Sequence, residues 1–126
     1  MAGFTVILSN FISSDLIKEN IWRTRPCNDP DLVSSMRFLL NYRPQSSGFT
    51  SSHAVNHFAL ATYFYFTLRT YIGKWSKLFF LWAFVIVYAQ VYVGVHFPLD
   101  VICGSIIGII LGYLPARAFN RNYSLV

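Results

Sequence analysis

Apolar residues in this chain fall into long uninterrupted runs separated by polar connections. Residues 78–95 hold no charged side chain, and Gln90 is their one strongly polar member. A run of this length predicts a helix that crosses a bilayer. Residues 54–68 are also uncharged and continue through Arg69 to Ile72, and residues 101–116 make a third run. Within the third run Gly104, Gly108 and Gly112 lie four apart, on one helix face. Small residues at that spacing let membrane helices approach closely. The N-terminal run, residues 2–17, is interrupted by Ser9, Asn10, Ser13, Ser14 and Asp15. It reads as a span shielded by its neighbours or as an interfacial helix, because a carboxylate inside a lone lipid-facing span is costly.

Between the first and second runs lies a long polar connection, residues 19–52. It holds Pro26, Pro30 and Pro44, an Asp29-Pro30-Asp31 turn signal and the tract Gln45-Ser46-Ser47-Gly48. Within it, residues 32–42 predict a short amphipathic helix. A connection this long is more often functional than idle. The pattern therefore predicts one domain over residues 1–126. Its fold class is all-α, an integral membrane helical bundle of about four spans with the polar loop between the first and second.

Composition supports the membrane reading. Of 126 residues, 55% are hydrophobic and 12% charged, where a soluble domain carries about a quarter charged. Mean hydropathy is positive. The formal net charge of +5 suits anionic lipid heads or phosphate esters. No nucleic-acid partner is expected, because the basic residues are scattered among apolar runs. Cys27 lies in the polar loop and Cys103 in an apolar run, which suggests neither a disulfide framework nor a thiol metal site. Residues 1–12 show no basic start and no small-residue cleavage site, so no signal peptide is expected. Oligomeric state is left open.

Charge also suggests an orientation. Arg69, Lys74 and Lys77 join the second and third runs, and Arg117 and Arg121 follow the last, all without an acid nearby. The positive-inside rule makes both segments cytoplasmic. The long loop then faces outward, although it carries Lys18, Arg23, Arg25, Arg37 and Arg43 beside Glu19, Asp29 and Asp31. That excess is accounted for if some of these cations bind substrate phosphate. Trp22, Tyr71 and Trp75 read as interface anchors. The expected location is the inner (plasma) membrane, with a multi-pass topology and the active site on the periplasmic or outer face.

Alternating crossings gather the polar residues of interest at that face. Thr50-Ser51-Ser52-His53 opens an apolar run. Hydroxyl residues there are N-cap candidates, and the free N–H groups of a first helical turn cradle phosphate. His53 would sit in that turn and give a proton to a leaving oxygen. His96 lies at the junction of two runs, Pro98 suits the first position of the next helix, and Asp100 falls in its first turn. A carboxylate near a histidine fixes its tautomer and leaves the other nitrogen free to attack or bind metal. Lys18, Arg23 and Arg25-Pro26 supply cations suited to phosphate. Taken singly, each cluster also has a plainer reading as helix capping or lipid-head contact.

Their order is more specific. Lys18, six residues, then Arg25-Pro26 resembles the first signature of the type 2 phosphatidic acid phosphatase family. Thr50-Ser51-Ser52-His53 looks like its second, usually Pro-Ser-Gly-His, and His96-x3-Asp100 like the end of its third. The resemblance implies a lipid phosphatase that needs no metal and no cofactor. His96 would form a phosphohistidine, Asp100 would orient it, and His53 would protonate the leaving group. Lys18, Arg25, Ser51 and Ser52 would hold the phosphoryl group, with Gln90 standing in place of a phosphate-binding arginine. The substrate would be a lipid phosphate or polyprenyl diphosphate.

Three departures accompany the resemblance. Thr50 and Ser52 stand where the family has Pro and Gly. Ala89-Gln90 stands where it has Ser-Arg, and Arg23 or a loop arginine is a candidate substitute. Members commonly have six spans, so a chain starting near the third implies two missing ones. Two other readings follow. One is a catalytically degenerate or truncated phospholipid-binding protein. The other is a zinc-dependent enzyme using His53, His57, His96 and Asp100, although Ala54 occupies the place of the catalytic glutamate of the zinc-peptidase helix.

Overall fold

The computed structural model describes residues 1–123, and all their regular elements are helical. Helix α1 (Ala2–Asn10) continues through a π-helical segment, Phe11–Ile17, into the single turn α2 (Lys18–Asn20). After the long connection come α3 (Ser52–Ile72), a 3-10 turn (Gly73–Lys77), α4 (Leu78–Tyr92) and α5 (Pro98–Tyr123).

The helix ends follow local chemistry. Ser51 caps α3 by accepting the Ala54 N–H at 3.2 Å. Pro98 opens α5, and Asp100 Oδ2 accepts the Phe97 N–H at 2.9 Å, the reach-back half of a capping box. Gly73, at φ +54°, stops α3 and turns the chain into α4. Two stretches, Ser52–Tyr92 and Pro98–Tyr123, are long and apolar enough to cross a membrane. The first is the α3–α4 pair, turned at Gly73. Residues 2–17 are not among such stretches, so two stand where the hydropathy pattern suggested about four spans.

Helix α3 is central: α1, α4 and α5 all pack on it, and α5 most extensively. The glycine face of α5 makes this approach. A Cβ on Gly104 would stand 2.9 Å from the Ser51 carbonyl oxygen, and Cβ atoms on Gly108 and Gly112 would run into the carbonyls of Val55 and Ala59. The interior is accordingly built of small groups: Ala54, Val55, Ala59, Ala61, Ala83 and Ala116 are buried. Helix α1 contributes Thr5, Ser9 and Ser13, all fully buried. Ser9 Oγ bonds Asn56 Oδ1 of α3 at 2.8 Å, while Asp15 stays exposed. The polar side chains of residues 2–17 that turn inward are thus covered by α3. Large apolar side chains point outward instead, among them Ile7, Leu81, Phe84, Val85, Ile102, Ile106, Ile110 and Leu114. This inverts the arrangement of a water-soluble bundle.

The helix expected over residues 32–42 is not formed. Val33 and Met36 donate to Asp29 and Leu32 at 2.9 and 3.0 Å, and regular structure then ends. The apolar side chains of this segment serve two different walls. Leu32, Met36 and Leu39 line one cavity, and Leu40 and Tyr42 line another.

Candidate active site

Four chain segments meet at one end of the bundle: the turn after α1, the start of α3, the end of α4 and the start of α5. The long connection closes over them. Its Cys27 N–H bonds the Gly94 carbonyl at 3.0 Å, and the Arg23 guanidinium reaches Asp100 Oδ1 at 2.8 Å. Gly94, at φ +80°, forms the tight turn between α4 and α5. The Gln90 carbonyl accepts the N–H groups of Val95 and His96 at 3.1 and 3.4 Å, which fixes the backbone that carries His96.

A cleft of about 370 Å³ opens at this end, and Lys18, Arg25, Ser52, His53, Gln90 and His96 all line it, with Leu40, Tyr42 and Pro44 contributed by the loop. The sequence pattern nominated the first six. It did not nominate the loop residues, which share no periodic signal.

His96 is buried, with 2% of its surface exposed. Its Nδ1 lies 2.9 Å from the Gly48 carbonyl oxygen. A carbonyl only accepts, so Nδ1 carries the proton and Nε2 presents its lone pair. Burial holds the imidazole pKa far below its usual value, to about 3, with the Arg25 and Lys18 charges adding to the effect. The ring is therefore neutral near neutral pH, as a nitrogen nucleophile must be. The sequence reading gave the orienting contact to Asp100. The structure gives it to Gly48, with Asp100 Oδ2 at 4.0 Å from Nδ1. Fully buried Asp100 spends its oxygens on Arg23 and on the Phe97 N–H. Gly48 sits in a tight spot, where a Cβ would stand 3.2 Å from Arg25 Cγ and 3.3 Å from the Arg23 carbonyl oxygen. The sequence marked its tract as a turn; a backbone carbonyl acting as a histidine partner leaves no residue-type signature.

Arg25 is the central cation. Its Nε and Nη2 bond Ser46 and Ser47, and Nη1 reaches the Val95 carbonyl at 3.4 Å and His96 Nε2 at 3.3 Å. Burial lowers the pKa of its guanidinium without bringing it near neutrality. Lys18 lies beside it. Burial, and then the Arg25 charge, lower the ammonium pKa to about 8.

Two nominated phosphate contacts change. Ser51 is fully buried and is not among the residues lining the cleft; its oxygen accepts the Ala54 N–H, which leaves its own O–H as a donor. Ser52 does line it, with its Oγ 3.2 Å from Ser14 Oγ. Arg23, a candidate stand-in for the arginine that Gln90 replaces, pairs with Asp100 and lies over the Phe97 ring at 4.9 Å, outside the cleft. Arg43 bonds the Cys27 carbonyl and lies over Phe38. Gln90 is thus left as a neutral donor beside Lys18 and Arg25. His57 Nδ1 donates to the His53 carbonyl at 2.8 Å, and its ring packs 5.0 Å from Trp82. It faces α4 and does not join His96 and Asp100, and the described residues contain no group of three potential metal ligands.

A second cavity, about 460 Å³, also includes His96 in its lining, with Leu32, Met36, Leu39, Val91 and Tyr92 as its apolar walls and Arg37 as its one charged member. The arrangement is that of a neutral imidazole between cations, with a second histidine across the cleft and apolar space alongside.

The PAP2 superfamily model matches residues 1–124. The chain is 29% identical over 117 residues to a lipid A 4'-phosphatase of Porphyromonas gingivalis, covering 91% of this chain and 48% of that one. It is 31% identical over 114 residues to a lipid A 4'-phosphatase of Bacteroides thetaiotaomicron, covering 89% and 49%. An undecaprenyl-diphosphatase of Sulfolobus acidocaldarius is 29% identical over 119 residues, covering 91% and 54%. The chain spans about half the length of the curated relatives it matches. Among solved structures, a transmembrane PAP2-type phosphatidylglycerolphosphate phosphatase from Bacillus subtilis has the same fold, with a TM-score of 0.69 at 24% identity over 96% of this chain and 58% of that one. Matched over nearly its whole length, the chain belongs to the PAP2 superfamily.

Proposed function

We propose that this chain carries the centre of a metal-independent membrane phosphatase that hydrolyses a lipid phosphate or polyprenyl diphosphate. The observation that carries the reading is the cleft itself, where Lys18, Arg25, Ser52, His53, Gln90 and His96 converge from five separate segments. Phosphoryl transfer asks for positioning and charge stabilisation, which fixed cations supply. His96 Nε2 attacks phosphorus, the bond from phosphorus to the lipid oxygen breaks, and a protonated His53 gives that oxygen its proton. Water then attacks the phosphohistidine, His53 takes the water proton, and phosphate leaves. Lys18 and Arg25 hold the phosphoryl oxygens, with Ser52 and Gln90 as neutral donors. Asp100 acts as the buried counter-charge that holds Arg23 and the start of α5 in place.

The outward-facing apolar skirt supports a bilayer setting, and the apolar cavity beside His96 supports a lipid substrate. Relatives named for lipid A and undecaprenyl diphosphate handle that class. In this reading α1 with its continuation, α3, α4 and α5 make four crossings of an inner membrane. Exposed Trp22 anchors one interface, Tyr71 and Trp75 anchor the other, and the cleft faces outward.

The test is phosphate release from short-chain phosphatidic acid and from a polyprenyl diphosphate, in detergent with excess chelator. Wild type should release phosphate, and an equally folded His96→Ala variant should be slower by on the order of 10³-fold or more. Equal rates for the two proteins, or silence of wild type until metal is restored, would reject the proposal. Gln90 motivates a second reading, in which the cleft binds phosphate without turning it over. Tight binding of the substrate with no release by wild type would select it.

A further inference from the structure

The end of the bundle away from the cleft carries a second cationic pocket. All five acidic residues, Asp15, Glu19, Asp29, Asp31 and Asp100, belong to the cleft end or its loop, whereas Arg69, Lys74, Lys77, Arg117 and Arg121 at the opposite end have no acidic neighbour in sequence. Three of these cations converge. Arg69 lies in the last turn of α3, and Arg117 and Arg121 lie one turn apart on α5. With Phe66, Tyr113 and Asn120 they enclose about 340 Å³.

The pocket has a built floor. Phe66 and Tyr113 meet edge to face at 5.2 Å, and the Arg69 guanidinium lies 5.1 Å over the Phe66 ring. Asn120 donates its amide to the Phe66 carbonyl at 3.1 Å, which ties α5 to α3 beside the pocket. No carboxylate pairs with any of the three arginines among the described residues. Guanidinium groups that line one pocket without an acid offer an anion uncompensated charge, and their planar forks fit phosphate oxygens. Topology alone asks for charge near the membrane and not for convergence; Lys74 and Lys77 meet that need outside the pocket.

We propose that this pocket binds a phosphate anion at the membrane face opposite the cleft. A phospholipid head group and free phosphate share that chemistry, and basic pockets between membrane helices suit head groups. The experiment titrates the full chain in zwitterionic detergent with dihexanoyl phosphatidylglycerol, with inorganic phosphate and with dihexanoyl phosphatidylcholine, by calorimetry. Arg117→Gln with Arg121→Gln should weaken anion binding roughly tenfold or more. Lys74→Gln with Lys77→Gln should leave it intact, and both pairs are compared in a Lys18→Gln background, which weakens anion binding by the cleft. Both arginines are exposed, so their removal leaves the packed interior untouched. Tighter binding of phosphatidylglycerol than of inorganic phosphate identifies the lipid as the source, and equal binding identifies free phosphate. Equal losses in the arginine and lysine pairs, or no loss in either, would overturn the site.

Discussion

At the scale of single residues, the cleft makes its chemistry depend on two side chains whose roles can be separated by titration and by substitution. Lys18 is charged below about pH 8 and neutral above it, because burial and Arg25 lower its pKa. The ratio kcat/KM reports groups of the free enzyme. It already falls as His53 loses the proton it donates; Lys18 should add a second, steeper fall above about pH 8 in wild type, and Lys18→Arg should remove that second fall, since a guanidinium stays charged. Profiles that fall together would remove Lys18 from the phosphate contacts. Gln90 lines the cleft with no arginine nearby except Arg25. Gln90→Arg should therefore raise turnover, by roughly tenfold if a charged donor is restored to the transition state; a folded but slower variant would end that role for position 90. The cleft residues were legible from sequence because their types and spacing are chemical signals. Gly48 was not, because its contribution is a carbonyl oxygen. Arg23 was misplaced because nothing in a sequence tells whether a guanidinium turns toward a cleft or toward a buried carboxylate.

At the scale of elements, the α3–α5 contact is the joint that sets where His53 and Asp100 stand. Gly112 touches the Ala59 backbone so closely that an added methyl meets a carbonyl, which cannot rotate away. Gly112→Ala should cost about 1–3 kcal/mol in unfolding measured in micelles. Gly3→Ala, where nothing lies within 4 Å, is the control. Equal unfolding free energies for the two variants would mean that the helices do not meet at this face. The glycine spacing was readable in advance because a period of four has one geometric meaning on a helix. The absent helix over residues 32–42 was not, since an apolar pattern states which residues leave water and not that they leave it toward two separate cavities. Ser51 shows a related limit: a sequence marks the hydroxyl, and only the fold shows that its oxygen accepts the Ala54 N–H while the residue lies buried behind the cleft lining.

At the scale of the molecule, the all-helical architecture was legible because uncharged runs of this length admit few other folds. Residues 2–17 were ambiguous because their serines look unsuited to a membrane until α3 is seen to cover them. The interior, packed with alanine, glycine and serine, holds little of the bulk that drives a protein together in water. The bulk faces outward, in Ile7, Leu81, Phe84, Ile106 and Ile110. The folded object is then the chain together with the ring of hydrocarbon around it. A melting temperature recorded in one detergent belongs to that pair, and a change of chain length in the amphiphile is, for this protein, like a mutation spread over its outward-facing apolar side chains.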